Sequence, residues 1–276
     1  MSNGTKNLAL FCDFENIALG VRDARYARFD IEEVLERLLV KGNIVVKKAY
    51  CDWERYKAFK KDMHEASFEL IEIPHLRQSG KNSADIRMVV DALDLCYTKS
   101  HVDTFVVISG DSDFSPLVSK LRENNKQVIG IGVKESTSDL LIANCDEFIY
   151  YEDIVRQTKR RQPGKKKTTA RKGQSEGNGN GNGNNGAAKA EERAQQAFEL
   201  VLETVDDLFS ERGDESQIWG SMVKQALKRR KPSFSESYHG FRSFGMLLES
   251  MEKQKLLKLE HDQKSGGYII TGYSGD

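Results

Sequence analysis

The apolar run VVISGDSDFSPLV, Val106 to Val118, ends in two aspartates, Asp111 and Asp113, separated by one small residue. Burying an unpaired carboxylate costs several kcal/mol, so two at the exit of a buried strand face solvent or bind something. A second apolar run, LALFC, ends in Asp13 and is followed by Phe14, Glu15 and Asn16. A further aspartate, Asp85, ends the stretch HLRQSGKNSAD, four residues after Lys81 and in the first turn of an expected helix. Three or four carboxylates brought together raise one another's pKa unless a divalent cation neutralises them. With no His or Cys nearby, a set of hard oxygen ligands suits Mg²⁺ or Mn²⁺, which keep waters for a phosphate substrate. One such ion can activate a water and stabilise the charge that builds on a phosphodiester.

Each aspartate also has a plain structural use. Asp13 can N-cap the helix after it, and Asp111 can form an Asx turn. Capping does not require every acidic residue to fall at one sheet edge, so the set is read together as metal-binding. Glu15 and Asp139, acidic residues near the same edge, are read as surface or capping residues.

The elements that must position these groups follow from the hydrophobic pattern. Leu8 to Cys12, Ile44 to Tyr50, Phe68 to Ile73, Thr104 to Ser109, Val128 to Val133 and Glu147 to Tyr151 read as strands. Helical patterns lie between them at Ile31 to Leu39, Glu54 to Ala66, Ala84 to Tyr97 and Ser115 to Asn124. This alternation predicts an α/β domain, a mostly parallel sheet with both faces covered. Ligands of such sheets bind beyond the carboxyl ends of the strands. If strands one and four are neighbours, Asp13, Asp111 and Asp113 converge there, with Asp85 in reach.

The formal charge of zero hides a division along the 276 residues. Residues 1–155 carry −6, 156–190 carry +9 and 191–276 carry −3. The middle stretch, KRRQPGKKKTTARKGQSEGNGNGNGNNGAAKA, has almost no large apolar residues and is expected to be a disordered basic linker, rich in Gly and Asn, between two domains. Lys165, Lys166 and Lys167 within it are candidate phosphate contacts. Cys12, Cys51, Cys96 and Cys145 sit in apolar segments without metal-ligand spacing and read as reduced core residues. No apolar stretch suits a membrane span and the start lacks a secretory pattern, so the expectation is a cytoplasmic protein with no membrane partner.

After the linker, helical stripes run through AQQAFELVLETVDDLF, SQIWGSMVKQALKRRKPSF and GFRSFGMLLESMEKQ, and LLKLEHDQKSGGYII reads as a hairpin. Three helices and a hairpin predict a small winged helix. Phe241 and Phe244 read as core. Lys228, Arg229, Arg230 and Lys231, with Arg242 and with Lys264 on the wing, are candidate nucleic-acid contacts, although cations also suit a helix C-terminus.

Two resemblances follow from these residues. DFENI (Asp13 to Ile17), Lys81-x-x-x-Asp85 and SGDSDFSPLV (Ser109 to Val118) resemble the NYN domains, members of the PIN-like metal-dependent ribonucleases, over Asn7 to about Asp153. The resemblance implies a Rossmann-like PIN fold and RNA cleavage that depends on Mg²⁺ or Mn²⁺. It also implies that Asp13, Asp85, Asp111 and Asp113 are the acidic catalytic and metal-binding cluster, that Asn16 and Ser109 orient it by hydrogen bonds, and that Lys81 is a phosphate-facing cation. KPSFSESYHGFRSFGMLLESM and the hairpin resemble the OST-HTH or LOTUS domain, whose members bind RNA, in several cases G-rich, or a DEAD-box helicase. The Tyr238-His239-Gly240 step departs from that family's Tyr-Gly-Phe by an extra His. The implied protein is an RNA endonuclease with a recruiting module. Its expected partners are single-stranded or G-rich RNA, a helicase or other protein, and a second copy as a homodimer. The alternative is a catalytically inactive RNA-binding adaptor. A phosphatase of the haloacid-dehalogenase type requires Asp-x-Asp on strand one, where this chain has Asp13-Phe14-Glu15.

Overall fold

The computed structural model describes residues 6–73, 81–161, 184–212, 217–263 and 266–274, which fall into two units, each taken by itself. The first contains β1 (Asn7–Asp13), α1 (Phe14–Asp23), α2 (Ile31–Leu39), β2 (Asn43–Cys51), α3 (Lys57–Glu65), β3 (Glu69–Glu72), α4 (Lys81–Thr98), β4 (Thr104–Ile108), α5 (Ser115–Glu123), β5 (Gln127–Gly132), α6 (Asp139–Asn144), β6 (Glu147–Tyr150) and α7 (Tyr151–Arg161). All six strands pair in parallel, in the order β3-β2-β1-β4-β5-β6. The fold is α/β, of the Rossmann-like type expected.

The alternation of side chains along β1 and β4 feeds two cores. Leu8, Leu10, Cys12, Val106 and Ile108 pack on one face with Ile17 and Val21 of α1 and Val34, Leu35 and Leu38 of α2. Ala9, Phe11, Phe105 and Val107 pack on the other with Met88, Ala92 and Cys96 of α4 and Leu117, Val118 and Leu121 of α5. Burial on both faces explains why these two strands are near-continuous apolar runs. The four cysteines are buried thiols.

Strand order reverses between β1 and β4, which pair from Leu8↔Thr104 to Cys12↔Ile108. β1 continues to β2 on one side and β4 to β5 on the other, so their following helices diverge and leave a crevice at the carboxyl ends. Asp13 ends β1, and Ser109, Gly110 and Asp111 follow β4 directly.

The second unit holds α8 (Asn184–Arg212), β7 (Ile218–Trp219), α9 (Gly220–Arg230), α10 (Phe244–Lys253), β8 (Leu257–His261) and β9 (Tyr268–Tyr273). The strands form an antiparallel sheet in the order β7-β9-β8. Its core joins Ala197, Phe198, Val201 and Val205 of α8 to Leu247, Leu248 and Met251 of α10. Among the described residues the unit has three helices and a hairpin, together with a two-residue strand too short to be read from pattern. The third helix starts at Phe244, later than its pattern suggested, because Ser243 caps it by accepting from the Met246 N–H and Gly240 before it holds a positive φ of 93°.

Two helices run into the stretch expected as linker. α7 continues to Arg161 and α8 begins at Asn184, where AAKAEERAQQ is rich in strong helix formers. Residues 162–183, with Lys165, Lys166 and Lys167, lie outside the described residues, as does Lys264. Among the described residues no helix is long and apolar enough to cross a membrane.

Candidate active site

Asp13 is the innermost group at the crevice. It is 8% exposed, and both carboxyl oxygens are engaged: the Asn16 backbone N–H donates to Oδ1 at 3.3 Å and the Ser109 hydroxyl donates to Oδ2 at 3.0 Å. The first bond makes Asp13 the N-cap of α1. The second ties the end of β1 to the end of β4. Burial pushes the Asp13 carboxyl up to about 7, and the Asp85 and Asp111 carboxylates push in the same direction against the two hydrogen bonds.

The turn after β4 is fixed from three sides. The Asn16 side-chain oxygen accepts from the Gly110 N–H at 2.9 Å, the Ser109 hydroxyl accepts from the Asp111 N–H at 3.2 Å, and Asp111 Oδ1 accepts from the Asp113 N–H at 3.0 Å. Asp111 therefore forms the Asx turn that starts a short 3₁₀ segment, Ser112–Phe114. Asn16 acts on Asp13 through its backbone and on Gly110 through its side chain.

Gly110 is required by close packing. A Cβ there would stand 2.5 Å from the Ser136 carbonyl oxygen and 3.0 Å from the Thr137 Cα, both backbone atoms that cannot swing aside. Gly110→Ala should cost about 1–3 kcal/mol and displace the turn that carries Asp111. Thermal melts and the metal dependence of stability check it; an unchanged melting temperature counts against this packing.

A cavity of about 200 Å³ opens on these groups, lined by Asp13, Glu15, Asn16, Leu19, Tyr50, Cys51, Asp52, Ile73, Ala84, Asp85 and Asp111. Three of the four expected aspartates thus share one cavity. Asp113 does not line it and is exposed. In a 3₁₀ turn, with three residues per revolution, side chains two apart point in different directions. Glu15, expected as a surface or capping residue, lines the cavity and pairs with Arg55 at 3.1 Å. Asp139 lies exposed in the first turn of α6, which Ser138 caps. Lys81 is the first residue of α4.

The contribution of β2 is absent from the sequence reading. Tyr50, Cys51 and Asp52 at its end form one wall of the cavity. The signal that could have found them is strand order: β2 is the other neighbour of β1, so its exit lies beside Asp13. Tyr50 also anchors α4, because its hydroxyl donates to Asp91 Oδ2 at 2.9 Å while Arg87 holds Asp91 Oδ1 at 3.1 Å. This bond fixes the helix that presents Asp85.

Cys51 also lines the cavity, but burial pushes its thiol well up and keeps it protonated; the remaining donors are carboxylate, amide and hydroxyl oxygens, which fit a hard divalent cation. A carboxyl pushed up to about 7 by burial, with neighbouring carboxylates adding to it, is a group that a cation would ionise. Among the described residues, no three acidic, imidazole or thiol side chains stand together as a ready-made ion cage.

Arg229, Arg230 and Lys231 are exposed at the end of α9 and just after it; in the second unit Lys228 is half-buried and Arg242 is exposed. Phe244 is buried and Phe241 packs against the core. The extra His239 is also a core residue: it stacks on Phe234 with centroids 5.2 Å apart, and its Nδ1 is 2.6 Å from the Arg193 carbonyl oxygen.

The family model described as NYN domain matches residues 7–152, more than half of the chain. An uncharacterised protein of Methanocaldococcus jannaschii is 26% identical over 138 residues, which are 50% of this chain and 52% of that protein. The chain therefore spans about half the length of the curated relative it matches. A crystal structure of a protein of unknown function from Vibrio parahaemolyticus is similar at 27% identity with a TM-score of 0.49, covering 56% of this chain and 98% of that one.

Proposed function

The chain belongs to the NYN-domain family, which is PIN-like and of nuclease type, and from that premise we propose that its first unit is a metal-dependent endoribonuclease. The observation that carries this reading is the convergence of Asp13, Asp85 and Asp111 on one cavity at the point where strand order reverses. These three would hold Mg²⁺ or Mn²⁺. Such an ion, when bound, supplies an activated water and offsets charge on the phosphodiester.

The chain's own residues prepare that site. Ser109 and the Asn16 N–H fix the orientation of the Asp13 carboxyl, and Asn16 fixes the turn that carries Asp111. Lys81, four residues before Asp85, is assigned as the cation for the phosphate. Leu19, Ile73 and Ala84 give the cavity an apolar side next to its carboxylates. An unstacked base beside the scissile phosphate suits that wall, which favours single-stranded RNA over a duplex.

The second unit is assigned as an OST-HTH or LOTUS module that recruits RNA, G-rich RNA included, or a protein such as a DEAD-box helicase. Its helices, its hairpin and the exposed Arg242 support that reading. Tethering it to the nuclease raises local substrate concentration, so weak individual affinities suffice.

Labelled single-stranded and structured RNAs incubated with the full chain and Mn²⁺, Mg²⁺ or EDTA provide the test. Cleavage within single-stranded RNA that EDTA abolishes is expected. RNA binding with no cleavage under any metal would replace the enzyme with a non-cutting adaptor.

A further inference from the structure

The outer face of α4 carries an apolar seam, of whose four residues only Leu93 also packs against a core. Ile86, Val90 and Tyr97 are 62%, 55% and 64% exposed. With the partly buried Leu93 they recur at intervals of four, three and four residues. At 3.6 residues per turn this spacing keeps all four on one narrow stripe, the repeat through which one helix seats against another. Met88, Ala92 and Cys96, on the opposite side of the same helix, are buried against the sheet.

Charge decides what fits the seam. Arg87 and Asp94 are both exposed, and at about 100° per residue they fall on the same flank of the stripe. One lies three residues before Val90 and the other four after it. In an antiparallel pair of identical helices related by a two-fold axis midway between Val90 and Leu93, that flank meets its own copy, and Arg87 of each chain lies within about 3 Å along the helix of Asp94 of the other. Arg87 already bonds Asp91 on its own helix, and its five N–H donors allow a second acceptor. In a parallel pair the two-fold axis runs along the helices and turns this flank toward the partner's other flank, so the Arg87–Asp94 pairs do not form.

We propose that the α4 seam is a homodimer interface, in which a second copy of this chain docks antiparallel through the same helix. Ile86 packs against Tyr97 of the second copy and Val90 against Leu93, with an Arg87–Asp94 ion pair formed twice along one flank. Asp85, directly before Ile86, then lies near each end of the paired helices, so the two cavities open at opposite ends of the interface. The seam stands apart from the cavity, and its role does not depend on what the cavity cleaves.

Sedimentation velocity of the full chain across a concentration series tests this. A dimer is expected for the unmodified protein. Val90→Asp should raise its dissociation constant at least about 30-fold, the scale for losing a central apolar anchor, while far-UV circular dichroism and the melting temperature stay unchanged. Arg87→Glu should also weaken the dimer, and Arg87→Glu/Asp94→Arg should restore it, because reversing both charges recreates the pair only when the partner is identical. A full chain that sediments as a monomer throughout overturns the proposal. So does a dimer indifferent to Val90→Asp, or a double variant no tighter than Arg87→Glu.

Discussion

Asp111→Asn is expected to lose RNA cleavage by at least about a thousandfold at saturating Mn²⁺, because several kcal/mol of charge stabilisation at the reacting phosphodiester depends on a carboxylate there. The fold should survive. Asp111 caps the 3₁₀ segment by accepting the Asp113 N–H on Oδ1, and an asparagine carbonyl oxygen can accept the same bond. Loss of activity with an unchanged circular dichroism spectrum therefore separates chemistry from structure. Asp113→Asn provides the internal comparison: its side chain is exposed and outside the cavity lining, so its effect should be much smaller. Full activity in Asp111→Asn would sink the metal-ligand assignment.

The second large effect concerns stability against pH in EDTA. Burial, with Asp85 and Asp111 adding to it, pushes the folded-state Asp13 carboxyl up to about 7, whereas in an unfolded chain such a group titrates near 3.9. Between those values the native state holds a proton that the unfolded chain has released. Stability should fall as pH rises from about 4 to about 7 and level off above that. The cost integrates to about 4 kcal/mol at pH 8, taking 1.36 kcal/mol per pKa unit. Asp13→Asn removes the ionisation while leaving an oxygen for the Asn16 N–H, so the variant should be more stable than the parent at pH 8 and lack this slope. Urea titrations at pH 5 and pH 8 measure both. Identical pH dependence in the two proteins would mean that the Asp13 carboxyl is not held up in the fold.

How far the sequence reveals this arrangement depends on which force sets each element. β1 and β4 are legible because burial on both faces leaves no room for polar residues, and α2 is legible to the residue because Asp30 caps a clear apolar stripe. The meeting of Asp13 with the turn after β4 follows once those strands are taken as neighbours. What pattern does not carry is the lateral order of the other strands, so the β2 wall with Tyr50 and Asp52 goes unseen. Asp113 is the converse case: close to Asp111 in sequence, it is exposed and outside the cavity lining, because the tight turn sends the two side chains in different directions. The starts of α8 and α10 are set by local propensity and capping, which override the compositional and hydrophobic cues that place them elsewhere.

The central position of β1 has a consequence for how the protein is made. β1 leaves the ribosome well before β4, yet one of its edges is completed only by β4, and the Ser109–Asp13 bond spans 96 residues. At about 5–20 residues per second of synthesis, that edge waits for roughly 5–20 s with its backbone donors and acceptors unpaired. Pairing across such a separation is slow to form and open to intermolecular competition. The carboxylates are therefore assembled by the same late closure that completes the sheet, and Asp13 and Asp111 come together only after β4 has emerged.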